Sequence, residues 1–323
     1  MNDLVSIIVT SYNHAEYLKK RIDSLLDQTY KNLEIIVVDD CSTDGSIVIL
    51  EDYKKYNHIR VIALEKNTGH ANASNLGADM ASGNYIMFAE CDDFDSPLHV
   101  ETLVRSLKDH GDAGVAYCRS AMVDDKGEVF GDDLQVREPA FQTLCSSDTM
   151  IPGPRMQRFL LKSCVIPNMS AALIRKNIFD AVGGLSLSYT ACADWDLWCR
   201  IAENSDFYFV TESLNSFRSH PTTVRNTAPI KVQLSDIFDL LYAASSRTTL
   251  TLAERLKFRI NIAVLWANYL LPETRSWMKS FPGIWIKTLK YDKLSIIFLV
   301  LVLFKLTMNF IIRKFRQFTN IQK

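Results

Sequence analysis

Four short apolar runs restrict what this chain can fold into more than any other feature: Val5-Ser-Ile-Ile-Val9, Leu33-Glu-Ile-Ile-Val-Val38, Ile59-Arg-Val-Ile-Ala-Leu64 and Asn84-Tyr-Ile-Met-Phe-Ala89. They are rich in β-branched residues and mostly continuous, the signature of strands covered on both faces. Between them lie segments that read as helices. After the first run, Asn13-His-Ala-Glu16 has a capping-box pattern, and Leu18, Ile22, Leu25 and Leu26 follow at helical spacing. Ser42-Thr-Asp44-Gly45 turns into a second helix through about Lys55, and Thr68-Gly69 opens a third to about Ser82-Gly83. Ser96-Pro97 starts a fourth, with proline in its first turn, and Ala113-Gly-Val-Ala-Tyr117 reads as a fifth strand. Such alternation predicts right-handed β-α-β units and an α/β fold with a mostly parallel sheet flanked by helices.

Regularity fades after residue 120. Asp125-Lys126-Gly127 reads as a hairpin turn. A helix is expected from near Arg175 to Gly183-Gly184, a glycine-type stop. A further helix runs from Asp194 to Glu203, with Leu197, Trp198 and Ile201 on one face, and residues 229–271 read as helical almost throughout. The boundary therefore falls near residue 228, with 1–228 one domain and 229–323 a helical C-terminal region.

Of the 323 residues 48% are hydrophobic and 23% charged, which suits a packed core rather than disorder. The net charge of −1 conceals an asymmetry. Residues 1–230 hold 21 Lys and Arg against 32 Asp and Glu, a balance of −11, and residues 231–323 hold 15 against 5, a balance of +10. An acidic body argues against a nucleic-acid partner. The basic tail contains the 19-residue stretch 294–312, interrupted by Lys305 and flanked by Lys290, Lys293, Arg313, Lys314 and Arg316. That length is near the minimum for a span, and the central lysine disfavours insertion. An interfacial helix on an anionic membrane and a buried core helix are the alternatives. The seven cysteines include no C-x-x-C pair, and the N-terminus passes straight into a strand without a leader-like run. Both features predict a reducing, cytoplasmic setting, at the inner face of the cell membrane if the tail binds lipid.

The chemistry concentrates at Glu90-Cys91-Asp92-Asp93, where the fourth strand runs out. Carboxylates this close repel, and a divalent cation such as Mn²⁺ or Mg²⁺ would relieve that while sharing its remaining positions with phosphate oxygens. The carboxyl ends of strands are also where open α/β sheets bind ligands. A solvated acidic turn is the alternative. At the end of the first strand, Thr10, Tyr12 and Asn13 combine a hydroxyl, a ring able to stack on a nucleobase and an amide; Tyr12 could equally be a rim aromatic. Asp39-Asp40 ends the second strand, where a carboxylate can accept from a base N–H or a ribose hydroxyl.

These segments resemble, in order, the motifs of glycosyltransferase family 2, a group of inverting, nucleotide-sugar-dependent enzymes with the GT-A fold. The resemblance covers roughly residues 4–225. Its further motifs are Asn67-Thr-Gly69, Ala73-Ser-Asn75-Leu-Gly77, Gly83-Asn-Tyr85-Ile, Gly183-Gly184, Ala193-Asp194-Trp-Asp196-Leu-Trp198 and Phe217-Arg218-Ser-His220. It implies a nucleotide-binding half, 1–120, and an acceptor half, 121–228. Thr10, Tyr12, Asn13, Asp39, Asp40, Asn67, Gly69, Asn75, Glu90 and Asp92 would then contact the nucleotide. Asp92, Asp93 and His220 would hold the metal, with Glu90 in support. Asp194 would be the general base, although its place at the start of a helical pattern also suits an N-cap. Trp195 and Trp198 would line an acceptor sugar or pack on a helix face. Three positions depart from the family's usual pattern: Ser74 for Arg, Glu90 for Asp, and Ala193 for an acidic residue.

The implied function is metal-dependent transfer of a sugar from a nucleoside-diphosphate donor, a UDP-sugar by preference, to a hydroxyl of a glycan or lipid-linked acceptor in cell-surface polysaccharide synthesis. The three departures keep open a catalytically impaired nucleotide-sugar-binding protein. A nucleotidyltransferase fits poorly, since the loop after the first strand, Thr10-Ser-Tyr-Asn-His14, has neither glycine nor Lys or Arg.

Overall fold

The first apolar run becomes β1, Val5–Ser11, buried at every position. In the computed structural model, which describes residues 3–221, 223, 229–270, 286, 289–298 and 300–302, it leads into α1, Ala15–Leu26, which buries Leu18, Ile22 and Leu25. β2 (Leu33–Asp39), α2 (Ser46–Glu51), β3 (Ile59–Ala63), α3 (His70–Asp79) and β4 (Tyr85–Glu90) follow. α2 and α3 both end short of their expected limits, Lys55 and Ser82. β5 (Phe94–Asp95) is a two-residue strand, and α4 (His99–Asp109) starts after Leu98, so Pro97 precedes the helix instead of lying in its first turn.

β6 (Ala113–Val123) runs well past Tyr117 and pairs across the Asp125-Lys126-Gly127 turn with β7, Val129–Asp132. After β7 come α5 (Pro139–Leu144), β8 (Thr149–Ile151) and α6 (Gly153–Leu160). β9 (Ala172–Arg175), α7 (Lys176–Ala181), α8 (Ala193–Ile201) and the long β10 (Asp206–Arg218) complete the unit Met1–Ala228.

The described strands form one ten-stranded sheet ordered β3-β2-β1-β4-β9-β6-β10-β5, with β7 on β6 and β8 on β10. It is mixed, not mostly parallel: four neighbouring pairs are parallel and five antiparallel. The reversal comes from β9, which inserts antiparallel between β4 and β6. Because β9 opposes both neighbours, β1, β2, β3, β4, β6 and β10 still point the same way. Their carboxyl ends share one edge. The main core lies on one face of the sheet, where Ile7, Val9, Val37 and Met87 pack with Leu18 and Ile22 of α1 and Leu103 and Leu107 of α4. α3 covers the other face of the first strands, through Ala73 against Ile36 and Val38.

The second unit, Pro229–Lys323, contains α9 (Ile230–Arg247) and α10 (Leu252–Leu270). Tyr242 donates to Ser295 Oγ at 2.8 Å and stacks on Tyr291 with ring centroids 5.1 Å apart. Among the described residues no helix is long and apolar enough to cross a membrane. Of the expected membrane segment 294–312, residues 299 and 303–312 lie outside the described residues. Leu294, Ile297, Val300 and Leu301 are exposed.

Candidate active site

Register brings the first group together. Thr10 of β1 pairs with Glu90 of β4, and Ser11 with Asp39 of β2, so three strand ends meet. Thr10 is nearly buried there. Asn13 takes a left-handed backbone, φ 54°, which asparagine tolerates. Its Oδ1 accepts the Thr43 N–H at 2.7 Å and its own N–H donates to Ser42 Oγ at 2.9 Å. These bonds fix the turn that presents Tyr12, which is 45% exposed and available for stacking.

The two aspartates divide their work. Asp40 is fully engaged: it accepts from Thr68 N at 2.7 Å, Thr68 Oγ1 at 2.9 Å and Gly69 N at 2.8 Å. It therefore anchors the loop in which Asn67 Oδ1 also accepts from Gly69 N at 3.1 Å. Asp39 accepts from Ser42 N at 2.8 Å through Oδ1. Its Oδ2 is buried with no hydrogen-bond partner. A buried carboxylate oxygen left unpaired is costly unless a ligand N–H or O–H meets it. Asn75, expected among the nucleotide contacts, instead clamps a turn. Its Nδ2 donates to Leu185 O at 2.8 Å and its Oδ1 accepts from Leu185 N at 2.9 Å. Both glycines of that turn, Gly183 and Gly184, have positive φ. A Cβ on Gly184 would fall 2.8 Å from Asn75 Oδ1, so the clamp needs glycine there.

The acidic cluster separates by residue. Glu90 is held by His70, whose Nε2 lies 3.0 and 3.1 Å from its two oxygens. The Glu90 charge raises the His70 pKa to about 9, although the ring itself is partly exposed. Asp92 Oδ2 is 2.9 Å from His220 Nε2. Burial would push the Asp92 carboxyl up, but His220 and His14 outweigh it and hold it below the ordinary range. His14, Asp92 and His220 each offer a ligand atom within 4.8 Å of the others. A carboxylate with two imidazoles is a donor set that fits a divalent cation.

Asp93 does not join them. It is 1% exposed, and its Oδ1 accepts the Arg218 N–H at 2.9 Å. Burial and the neighbouring Asp92 charge raise its pKa well above the usual range. The expected metal pair Asp92–Asp93 is thus resolved into one carboxylate facing the histidines and one inside the fold. Arg218 ties the cluster down: Nε donates to Asp92 O at 2.7 Å, and one terminal nitrogen donates to Asp124 O and Asp125 O at 3.0 and 2.7 Å. Arg21, fully buried in α1, donates to Glu90 O at 2.9 Å and to Asp95 Oδ2 at 2.6 Å.

Asp194 is half-buried in the first turn of α8, where Cys192, not Asp194, occupies the cap. Its charge, like that of Asp92, acts on His70. Trp195 is buried and donates from Nε1 to Leu160 O at 2.9 Å. Trp198 is fully buried and Ser74 is inaccessible within α3. Sequence reasoning missed His14, His70 and Arg21. The two histidines lie beside motifs that were read, His14 directly after Tyr12-Asn13 and His70 directly after Gly69.

Comparison with known proteins bears on the family and the fold. The family model "Glycosyl transferase family 2" matches residues 6–183. Glycosyltransferase GlyG of Streptococcus pneumoniae serotype 4 is 32% identical over 188 residues, 56% of this chain and 60% of that protein. Glycosyltransferase GlyA of the same organism is 38% identical over 110 residues, 34% of this chain and 16% of that protein. The chain thus spans less than two thirds of either relative. Among solved structures, S. aureus TarS 1–349 in complex with UDP-GlcNAc superposes with a TM-score of 0.65 at 17% identity, covering 86% of this chain and 79% of that one. Mannosyltransferase PcManGT from Pyrobaculum calidifontis, in complex with GDP-Man and Mn²⁺, gives 0.56 at 14% identity, covering 94% and 88%. These structural likenesses place the fold as GT-A-like. On the family match the chain belongs to glycosyl transferase family 2.

Proposed function

We propose that this protein is a metal-dependent, inverting glycosyltransferase that moves a sugar from a nucleoside-diphosphate donor to a hydroxyl of a glycan or lipid-linked acceptor in cell-surface polysaccharide synthesis. The observation that carries the reading is that the open Tyr12 ring, the unpaired Asp39 oxygen and the Asp92–His220 pair all lie just at or past the carboxyl ends of co-directional strands, with the Asp194 charge reaching His70 beside Glu90. UDP is the preferred donor nucleotide, since the TarS neighbour was solved with UDP and with UDP-GlcNAc.

In this reading Tyr12 stacks on the base, and Asp39 accepts from a base N–H or a ribose hydroxyl. Asp40, Asn67 and Gly69 shape the loop beside them. Glu90 meets the ribose and is oriented by His70. Asp92 and His220 hold Mn²⁺ or Mg²⁺, which when bound offsets the negative charge of the diphosphate. Asp194 takes the proton from the acceptor hydroxyl as that oxygen attacks the anomeric carbon. The C-terminal region brings this chemistry to the cytoplasmic face of a membrane.

The test is release of free nucleoside diphosphate from a panel of nucleotide sugars, with and without Mn²⁺. Metal-dependent release is expected. Asp194→Asn should keep donor affinity nearly unchanged and lower turnover by about 10²-fold or more, the usual contribution of a positioned base. Tight binding with no release for any donor or acceptor would mark a nucleotide-sugar-binding protein instead.

A further inference from the structure

We infer that His14 is a direct ligand of the divalent cation, so that two imidazoles and one carboxylate hold it and the site favours Mn²⁺ over Mg²⁺. The inference rests on the metal-dependent reading above and replaces Asp93 with a residue from the loop that carries Tyr12. The placement is fixed on both sides of the ring. The His14 carbonyl accepts from Tyr17 N at 3.0 Å and from Leu18 N at 3.2 Å, which locks its backbone at the start of α1. Its ring meets His220 edge-on, with centroids 5.3 Å apart, and Nδ1 lies 3.4 Å from Cys91 Sγ. In the tautomer with its proton on Nδ1, directed at that sulfur, the Nε2 lone pair is left for a cation. A partner on the second nitrogen is how metal-bound imidazoles are ordinarily oriented. His220 is fixed likewise, between His14 and the Tyr17 ring 5.0 Å away.

Half-burial of His14 and Asp92, against a buried His220, gives the cluster one closed and one open side. The open side is where substrate oxygens would complete the shell. Asp93 offers no such access, since it is 1% exposed and accepts from the Arg218 backbone. Imidazole nitrogens bind first-row transition ions, Mn²⁺ the least tightly of that series, whereas Mg²⁺ prefers an all-oxygen shell and keeps its waters.

The experiment titrates full-length protein with Mn²⁺ and with Mg²⁺, without nucleotide, and counts nitrogen couplings to bound Mn²⁺ by pulsed electron paramagnetic resonance. Wild type should bind Mn²⁺ about tenfold or more tighter than Mg²⁺ and show two imidazole nitrogens. His14→Ala and His14→Gln should each lose one nitrogen and weaken Mn²⁺ about tenfold, with metal-free melting temperatures confirming folded protein. Two nitrogens and unchanged Mn²⁺ affinity in both folded variants would overturn the His14 assignment. Asp92→Asn separates the two claims: loss of Mn²⁺ there, with His14 variants unaffected, sinks only the present inference. Wild type that binds neither ion would sink the metal-dependent reading and this one together.

Discussion

Two adjacent aspartates, identical in type, have opposite circumstances. Asp92 faces two histidines; Asp93 is turned inward, accepting the Arg218 N–H at 2.9 Å. Asp92→Asn should therefore weaken Mn²⁺ binding about tenfold or more, because an amide is a poor ligand for a hard cation. Asp93→Asn should leave Mn²⁺ affinity within about twofold, since its oxygen can still accept from Arg218. Asp93→Ala should cost about 1–3 kcal/mol of stability by leaving that buried N–H unpaired. Titration calorimetry and denaturant unfolding read the two effects separately. Equal loss of metal affinity in Asp92→Asn and Asp93→Asn would restore the paired-carboxylate site that the sequence alone suggests. Adjacent carboxylates cannot be told apart by residue type. What divides them is the backbone course after β4 and the arrival of β10, with Arg218 lying 125 residues further along the chain.

At the scale of elements, the buried pair beneath the site is a brace. Asp95 of β5 takes Arg21 of α1 at 2.6 Å, Asn215 of β10 at 3.1 Å and His99 of α4 at 3.2 Å, so one carboxylate joins four elements. Burial disfavours the charged His99 ring, but the Asp95 charge outweighs this and lifts its pKa to about 10. An imidazole in an unfolded chain titrates near 6.5, so the stabilisation is complete below about pH 6.5 and drains away as pH rises through about 10. His99→Gln, uncharged throughout, should lose less melting temperature between pH 7 and 10 than wild type does. Parallel losses would mean that His99 is neutral in the fold. A second element contact is tighter. A Cβ at Gly153, which opens α6, would lie 2.4 Å from Ala202 O and 2.6 Å from Ser205 O, just past α8. Gly153→Ala should thus cost about 1–3 kcal/mol by overpacking and shift the helix that carries Asp194, lowering melting temperature and turnover together. The first strands were legible because both-face burial writes itself as continuous apolar runs. β9 was not: Ala172-Leu-Ile-Arg175 is four residues long and runs directly into α7, too short to show a period of two. Missing it cost the sheet its mixed character but not its functional edge, because a strand antiparallel to both neighbours leaves them co-directional. Likewise Asp39, Asp40 and Asp92 were legible as strand-end carboxylates, while His14 and His70 gain meaning only from partners 78 and 20 residues away.

At the scale of the whole chain, charge and hydropathy divide as the two compact units do. Residues 1–230 carry −11 and residues 231–323 carry +10. A glycosyltransferase with a lipid-linked acceptor must work where lipid headgroups are, and an acidic body would be repelled from an anionic surface. On such a surface the basic tail would offset that repulsion at about 1 kcal/mol per Lys or Arg held near it. Leu294, Ile297, Val300 and Leu301 add exposed apolar area that only a membrane, another segment or another protein would cover. Apolar burial resists salt, whereas Lys and Arg attraction is screened, with a Debye length of about 3 Å at 1 M. Full-length protein should therefore float with vesicles containing phosphatidylglycerol at low salt, float less with neutral phosphatidylcholine vesicles, and be only partly released from the anionic vesicles at 1 M salt. Complete release would assign the attachment to charge alone. Protein that stays at the bottom of the gradient with both vesicle types, and without detergent, would mean that the apolar face packs within the protein or between copies of it.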